Sequence, residues 1–479
     1  MIPLSMAQLA EITGAALDAV PDARALVTGP VVIDSRAAGP GALFAALPGL
    51  RVDGHDYAAA AVAAGAVAVL ATRPCGAPAL LVPDVPAALA VLARAVVDRL
   101  PDLTIAGITG SAGKTTTKDL TAQLVETLGP TVAPRGSFNN EIGHPLTVLG
   151  VTGDTRYLIS ELSARGPGHI AALCRVAPPR LGAVLCVGHA HAGEFGGIEN
   201  VALAKGELPA ALPADGVAVL NADDPRVLAM AARTAARVVT FGTIAGHRDA
   251  RPGDRPDVRA VGVTTDDLGR AAFTLVTHAG AAPVRLRLHG AHHVSNALAA
   301  AALAAELGME LDAIAAGLSA AVARSRWRME VTERGDGVTI VNDAYNANPE
   351  SVRAALRALT DMTAGGRRGF AVLGQMTELG EESEEFHEEV GRLAARAGLA
   401  GLVVVGDGTE PILAGTKSVP SWSGELLHVP DPPAAVRALE QRLAGGDVVL
   451  VKASHSVGLE SVALALTGER PFPAGEPAS

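Results

Sequence analysis

The chain has 479 residues, 49% hydrophobic, 19% charged and only 3% aromatic, with 53 glycines and 31 prolines. That length exceeds one ordinary core and sets a prior of about three domains; the alanine- and glycine-rich makeup suits helices packed on parallel sheets and excludes a disordered chain. With 39 basic and 50 acidic side chains the formal net charge is −11, which argues against a broad surface for nucleic acid or lipid phosphates and leaves room for small basic pockets.

Cys75, Cys174 and Cys186 are too few and too scattered for a disulfide framework or a thiolate metal site, and read as reduced cysteines of a cytosolic protein. Met1-Ile2-Pro3-Leu4 lacks the charged start and apolar core of a signal peptide, and the alanine-rich run 58 to 72 stops at Arg73. A soluble, cytoplasmic chain with no membrane span and no nucleic-acid partner is therefore expected.

Residues 1–100 read as a small α/β domain. Val31-Val32-Ile33 is a strand candidate ending at Asp34-Ser35-Arg36, and Ala42 to Leu47 is a second, broken at Pro48-Gly49. Asp53-Gly54-His55-Asp56-Tyr57 then opens an alanine-rich helix with Asp56 as its expected cap. Arg36 and His55 are of the type that binds anionic groups, though each reads equally well as an exposed loop residue.

The next stretch carries the chemistry. An apolar approach, Leu103 to Ile108, leads through Thr109-Gly110-Ser111-Ala112-Gly113-Lys114-Thr115-Thr116-Thr117 into a helical pattern, Lys118 to Val125. Strand, glycine-rich turn and helix start form a phosphate cradle: glycines let backbone N–H groups converge on anionic oxygens, Lys114 reaches the outer phosphates, and a Thr115 or Thr116 hydroxyl completes the shell of a magnesium ion. The spacing is a shortened G-x-x-G-K-T-T, since Ile108 stands where the longer pattern has its first glycine. Gly136 to Pro145 follows as a polar loop unusually rich in side-chain amides, including Asn139 and Asn140. Tyr157 to Leu162 reads as a strand delivering Glu161 at its far end, where a parallel sheet binds ligands, which favours a second magnesium ligand over a surface pair with Arg165. After the strand Leu181 to Gly188 come His189 and His191, a weak zinc signal without a third ligand nearby, and Lys205 in an apolar helix, ordinarily a snorkelling surface lysine. Val217 to Leu220 is a further strand, 250 to 290 alternates like an antiparallel excursion, and Asn296 sits near the start of an alanine-rich helix.

From about 326 a third unit begins. Strands at Val338 to Val341, Phe370 to Leu373, Leu402 to Val405 and Val448 to Val451 alternate with helical stretches, giving another parallel sheet. The acidic run Glu378 to Glu389 reads as a solvated helix face with His387 on one side, and Arg470 to Pro473 as a frayed tail. The fold expected is α/β in three domains: 1–100, a central P-loop ATPase-type parallel sheet over 101–325, and a Rossmann-like domain over 326–479.

Several stretches together resemble the Mur ligases of peptidoglycan synthesis: Asp34-Ser35-Arg36 with Gly54-His55-Asp56, the phosphate loop, Asn139-Asn140-Glu141-Ile142-Gly143, Ala164 to Ile170, and Asp343-Ala344-Tyr345-Asn346-Ala347-Asn348-Pro349. The resemblance implies an ATP- and Mg2+-dependent amide ligase, of the branch that joins D-alanyl-D-alanine to UDP-N-acetylmuramoyl-tripeptide through an acyl phosphate, acting as a monomer. It implies that Gly110 to Thr116 hold ATP phosphates, that Thr115, Glu161, His191 and a carbamylated Lys205 serve magnesium, and that Asn296, Arg326 and Asp343 contact the nucleotide. Ser35, Arg36, Asp53, Gly54 and His55 would face the UDP-sugar, and Asn139, Asn140, Arg165, Tyr345, Asn346 and Asn348 the peptide cleft. Leu162-Ser163, His293, Gln375 and His455 depart from the family pattern. The last two bear on the acceptor, because histidine replaces a forked, always-charged arginine. The alternatives are a ligase for another acceptor, such as D-Ala-D-Lac or an amine of specialised metabolism, or a nucleotide-binding paralogue without turnover.

Overall fold

The computed structural model describes residues 1–49, 52–189, 192–243 and 255–469. The reading of Arg470 to Pro473 as a tail and the candidate ligand His191 lie outside them.

The nine-stranded sheet runs, edge to edge, Gly280–His289, Arg270–Thr277, Val258–Thr265, Arg237–Thr243, Val217–Asn221, Leu181–Val184, Thr104–Thr109, Tyr157–Glu161 and Thr131–Val132. Neighbours from Thr131–Val132 through to Val258–Thr265 are parallel, and the last three strands form the antiparallel excursion that alternation announced. After Thr104–Thr109 the chain builds Thr131–Val132 and Tyr157–Glu161 on one side, then crosses to lay Leu181–Val184 on the other. That reversal opens a crevice at the carboxyl ends of the strands, where open α/β sheets take ligands. Register puts Glu161 opposite Ile108 and Val184 opposite Thr109, so both flanking strands end level with the start of the phosphate loop.

A five-stranded sheet (Ala16–Asp18, Ala79–Leu81, Ala68–Ala71, Leu43–Ala45, Val31–Val32) precedes it and a six-stranded one (Glu330–Glu333, Thr339–Asn342, Val448–Lys452, Gly369–Leu373, Gly401–Val405, Glu425–Val429) follows, each parallel but for its first pair. The first sheet is not held to the second by polar contacts alone. Val85, Leu89, Leu92 and Val96 of the helix Val85–Val97 share one buried apolar cluster with Ile105, Val148, Leu149 and Leu158. Such a joint is stiff, since separating it would expose close-packed apolar surface.

Two local expectations change. Asp56 does not cap the helix Ala58–Ala63; Asp53 does the capping one turn earlier, its carboxylate accepting the His55 N–H at 3.0 Å over the short turn Gly54–Tyr57. The acidic run Glu378 to Glu389 is helical only from Ser383, in Ser383–Arg396, after a short turn Gly380–Glu382, and His387 on that helix is buried, its Nε2 accepting the Met376 N–H at 2.9 Å.

Candidate active site

The phosphate loop joins Thr104–Thr109 to the helix Lys114–Val125, whose first-turn N–H groups face the crevice. Gly113 takes φ +81°, and a Cβ there would lie 2.3 Å from Asn296 Oδ1, so only glycine fits between the loop and the helix His293–Glu306. Lys114 Nζ donates to Gly110 O at 2.8 Å, bending the side chain back over the loop. Loss of water holds its pKa below the usual lysine value, against the opposing pull of Glu161. Ser111 is tied to the wall of the crevice: its N–H donates to Cys186 O at 3.0 Å and its hydroxyl exchanges bonds with Gly188 O and N–H at 3.1 and 2.9 Å.

A cavity of about 540 Å³ opens over this loop, between the central and third sheets. Ser111, Ala112, Gly113, Lys114, Thr115, Thr116, Asn139, Asn140, Glu161, Arg165, Asn296, Asp343, Tyr345, Asn346 and Asn348 all line it, while Gly110 lies just beneath. Glu161 is buried; Oε1 accepts from Asn139 Nδ2 at 2.7 Å, and Oε2 has no partner among the described residues. It forms no ion pair with Arg165, which is exposed at the cavity mouth. A buried carboxylate oxygen left open is costly unless a cation or donor arrives. Thr115 Oγ1, 3.1 Å from Ser137 Oγ, supplies a hydroxyl from the same rim. Carboxylate plus hydroxyl is a hard-oxygen donor set that fits magnesium, and among the described residues no three His, Cys, Asp or Glu side chains cluster as a metal site.

Lys205 is not a snorkelling surface residue. It closes the helix Ile198–Lys205, is 4% exposed, and makes no hydrogen bond or ion pair among the described residues. Burial first, then the neighbouring Lys114 charge, push its pKa down to about 7. At about neutral pH a substantial share of this buried amine is therefore uncharged, the form able to take up carbon dioxide.

The third sheet brings its own groups. Asp343 accepts from Lys452 Nζ at 2.6 Å and from the Met329 N–H at 3.1 Å, with Lys452 wholly buried at the end of Val448–Lys452. Arg326, expected at the nucleotide, is not among the lining residues and pairs with Glu469 at 3.0 Å; Arg328 lines the cavity instead, donating to Ser137 Oγ at 2.9 Å and lying over the Tyr345 ring at 4.2 Å. Arg328 is aimed by left-handed backbone on both sides, Trp327 at φ +58° and Met329 at φ +54°. His455 stacks on Tyr345 with ring centroids 5.5 Å apart.

Ser35, Arg36, Asp53, Gly54 and His55 do not line this cavity. They lie in two turns of the first sheet, where Asp53 bonds to His55 and other side-chain bonds go to the adjacent Asp34, Thr72 and Arg73. Arg36 Nη2 pairs with Asp34 at 2.7 Å, and Arg73 with Asp53 at 2.9 Å. The His55 ring is buried: Nε2 accepts the Thr72 N–H at 3.1 Å, so Nδ1 carries the proton that it donates to Asp53 at 2.6 Å. The His55 backbone N–H, its ring and Arg73 hold the Asp53 carboxyl well below its usual range. Gly54 packs where a Cβ would strike Leu47 N at 2.7 Å.

Three family models match the chain: the Mur ligase family catalytic domain over residues 30–99, the Mur ligase middle domain over 108–304, and the Mur ligase glutamate ligase domain over 327–455. The UDP-N-acetylmuramoyl-tripeptide–D-alanyl-D-alanine ligase of Mycobacterium leprae is 49% identical, covering 98% of this chain and 99% of its own. A crystal structure of MurF from Acinetobacter baumannii superposes with a TM-score of 0.83 at 30% identity, covering 98% and 99% of the two chains. The MurF ligase of Thermotoga maritima, solved in complex with ADP, gives 0.77 at 30% identity over 92% and 98%. No helix among the described residues is long and apolar enough to cross a membrane. On sequence along nearly its whole length, and on a crevice built around one phosphate loop, the chain belongs to the Mur ligase family.

Proposed function

We propose that this chain is the ATP-dependent ligase that joins D-alanyl-D-alanine to UDP-N-acetylmuramoyl-tripeptide in peptidoglycan precursor synthesis. The observation that carries the reading is near-full-length identity to ligases named for that reaction, combined with a crevice in which Lys114 and the open oxygen of Glu161 face one cavity.

The chemistry follows from a carboxylate's inertness toward amines. Transfer of the γ-phosphoryl of ATP to the tripeptide carboxylate gives an acyl phosphate; the dipeptide amine attacks its carbonyl, and phosphate leaves. Lys114 and the first-turn N–H groups of Lys114–Val125 offset the charge of the phosphoryl oxygens, which is the main task in such a transfer. Thr115 and Glu161 would hold Mg2+, with Lys205, carbamylated to a carboxylate-like ligand, and His191 completing the set; bound there, the ion supplies charge neutralisation. Asn296 and Asp343 would contact the nucleotide, Asn139, Asn140 and Arg165 the peptide, and Ser35, Arg36 and Asp53 to His55 the UDP-sugar. The division into 1–100 for the UDP-sugar peptide, 101–325 for ATP and 326–479 for closure, in a cytoplasmic monomer, belongs to the same proposal.

The test is phosphate release from ATP with UDP-muramoyl-tripeptide, in the presence and absence of D-Ala-D-Ala, using tripeptide labelled with oxygen-18 in its terminal carboxylate. Dipeptide-dependent release carrying the label is expected. Release without label, or none with any acceptor, removes the reading; preference for D-Ala-D-Lac or another amine would move the acceptor and implicate His455.

A further inference from the structure

We infer that Glu350 is a positioning residue: it ties the seating of the third sheet to the shape of the phosphate loop, through the wall segment that ends at His189. The inference rests on the ligase reading above for what the loop binds.

The wall is the chain just beyond the strand Leu181–Val184. Four bonds fix the phosphate loop to it: Ser111 N–H to Cys186 O at 3.0 Å, the Ser111 hydroxyl to Gly188 O at 3.1 Å and from the Gly188 N–H at 2.9 Å, and Ala112 N–H to Cys186 Sγ at 3.4 Å. Whatever positions the wall therefore positions Ser111 and Ala112. Its first half is held from within the central sheet, with Asn221 Nδ2 donating to Leu185 O at 2.7 Å and the Val187 N–H donating to Asp224 at 2.8 Å. Its second half is held by the third unit. Glu350 Oε1 accepts both the His189 backbone N–H at 3.0 Å and the ring Nδ1–H at 2.7 Å.

Glu350 sits in the first turn of Pro349–Thr363, where the helix dipole favours a carboxylate. The residue that caps this helix, Asn348, also donates to Ser111 O at 3.4 Å. One helix end thus grips the wall and the loop together. There is no slack in the fit: a Cβ on Gly188 would lie 2.7 Å from Glu350 Cδ. Glu350 Oε2 is shielded and without a partner among the described residues, where the carboxylate's side-chain hydrogen bonds are the two to His189. The first and second sheets share an apolar core, whereas here the approach of the third unit is read by a few directional bonds beside the phosphates.

Two variants and their combination test this. Glu350→Ala removes the acceptor, and Gly188→Ala keeps every side chain but pushes the carboxylate away. Each should weaken binding of a non-hydrolysable ATP analogue, by titration calorimetry, about tenfold, as loss of a charge-assisted pair does. Each should raise KM for ATP while leaving KM for the UDP-tripeptide within about twofold. The double variant should be no worse than Glu350→Ala alone, because both lesions break one contact. Glu350→Gln, which keeps one acceptor oxygen, should fall between; circular dichroism checks that all are folded. Unchanged analogue affinity in Glu350→Ala, or penalties that add in the double variant, overturns the inference. Calorimetry needs no acceptor, so failure of the ligase reading, seen as absent turnover in the unaltered enzyme, is scored separately.

Discussion

The crevice over the phosphate loop and the paired turns of the first sheet are both rich in charged side chains, yet they are bonded in opposite ways. Among the described residues the decisive groups of the crevice are left open: Glu161 has one oxygen unpartnered, the Lys205 ammonium bonds to none of them, and Lys114 spends its ammonium on one backbone carbonyl. In the turns, Asp34 holds Arg36, and Asp53 holds both His55 and Arg73. Open, poorly hydrated charge disfavours folding and is retained where a ligand will answer it. Satisfied charge stabilises the fold, and any binding there must displace or share an existing partner. Substitutions should therefore split: in the crevice, activity falls without loss of stability, and in the turns, as at His55, stability itself falls.

The largest effect is expected from Lys114→Ala. Removing the cation nearest the phosphates should lower kcat by about a hundredfold to a thousandfold. Its pKa is depressed, so the charged form is disfavoured in the folded chain, and the melting temperature should hold or rise. A large fall in melting temperature would erase the contrast.

Lys205→Ala should be nearly as damaging, by about a hundredfold, and partly restored by a small carboxylate such as acetate. Its pKa of about 7 against an ordinary 10.5 gives a sign as well. Uptake of carbon dioxide needs the neutral amine, present above pH 7 and lost as pH falls through that value. Carbon-13 bicarbonate should give a carbamate resonance at pH 8 that fades toward pH 6 and is missing in the variant. A resonance of equal strength at both values would contradict the role.

The contrast was only partly legible in the sequence. Strand, loop and helix at Thr104 to Val125 are plain from Gly110, Gly113 and Lys114, and Glu161's place at the crevice is legible because an apolar run ends on it. Lys205 is not legible from its helix, because Ile198–Lys205 mixes apolar and polar side chains with no clear face, and tertiary packing leaves Leu203 54% exposed while burying the lysine. Nothing in the sequence separates Arg328 from Arg326, since which of them turns inward depends on left-handed backbone at Trp327 and Met329, residues whose types give no such signal. The sequence points to Asp56 as the cap, whereas a short turn precedes the helix and moves the capping position three residues back to Asp53.

The smallest effects, and the sharpest test of the turns, come from comparing His55→Ala with Arg36→Ala. His55 is 5% exposed with both ring nitrogens bonded, so its loss should cost about 1–3 kcal/mol and lower the melting temperature whatever the substrate does. Arg36 is exposed and pairs with Asp34 two residues away, so Arg36→Ala should change stability by no more than about 1 kcal/mol. If that guanidinium also meets the UDP-sugar's phosphates, KM for the UDP-tripeptide should rise about tenfold, and the difference between the two proteins should shrink with added salt. KM for ATP should stay put, because the residue does not line the crevice. An unchanged KM for the UDP-tripeptide would mean that the turn satisfies only itself, and that the sugar nucleotide is held by other groups of the first sheet.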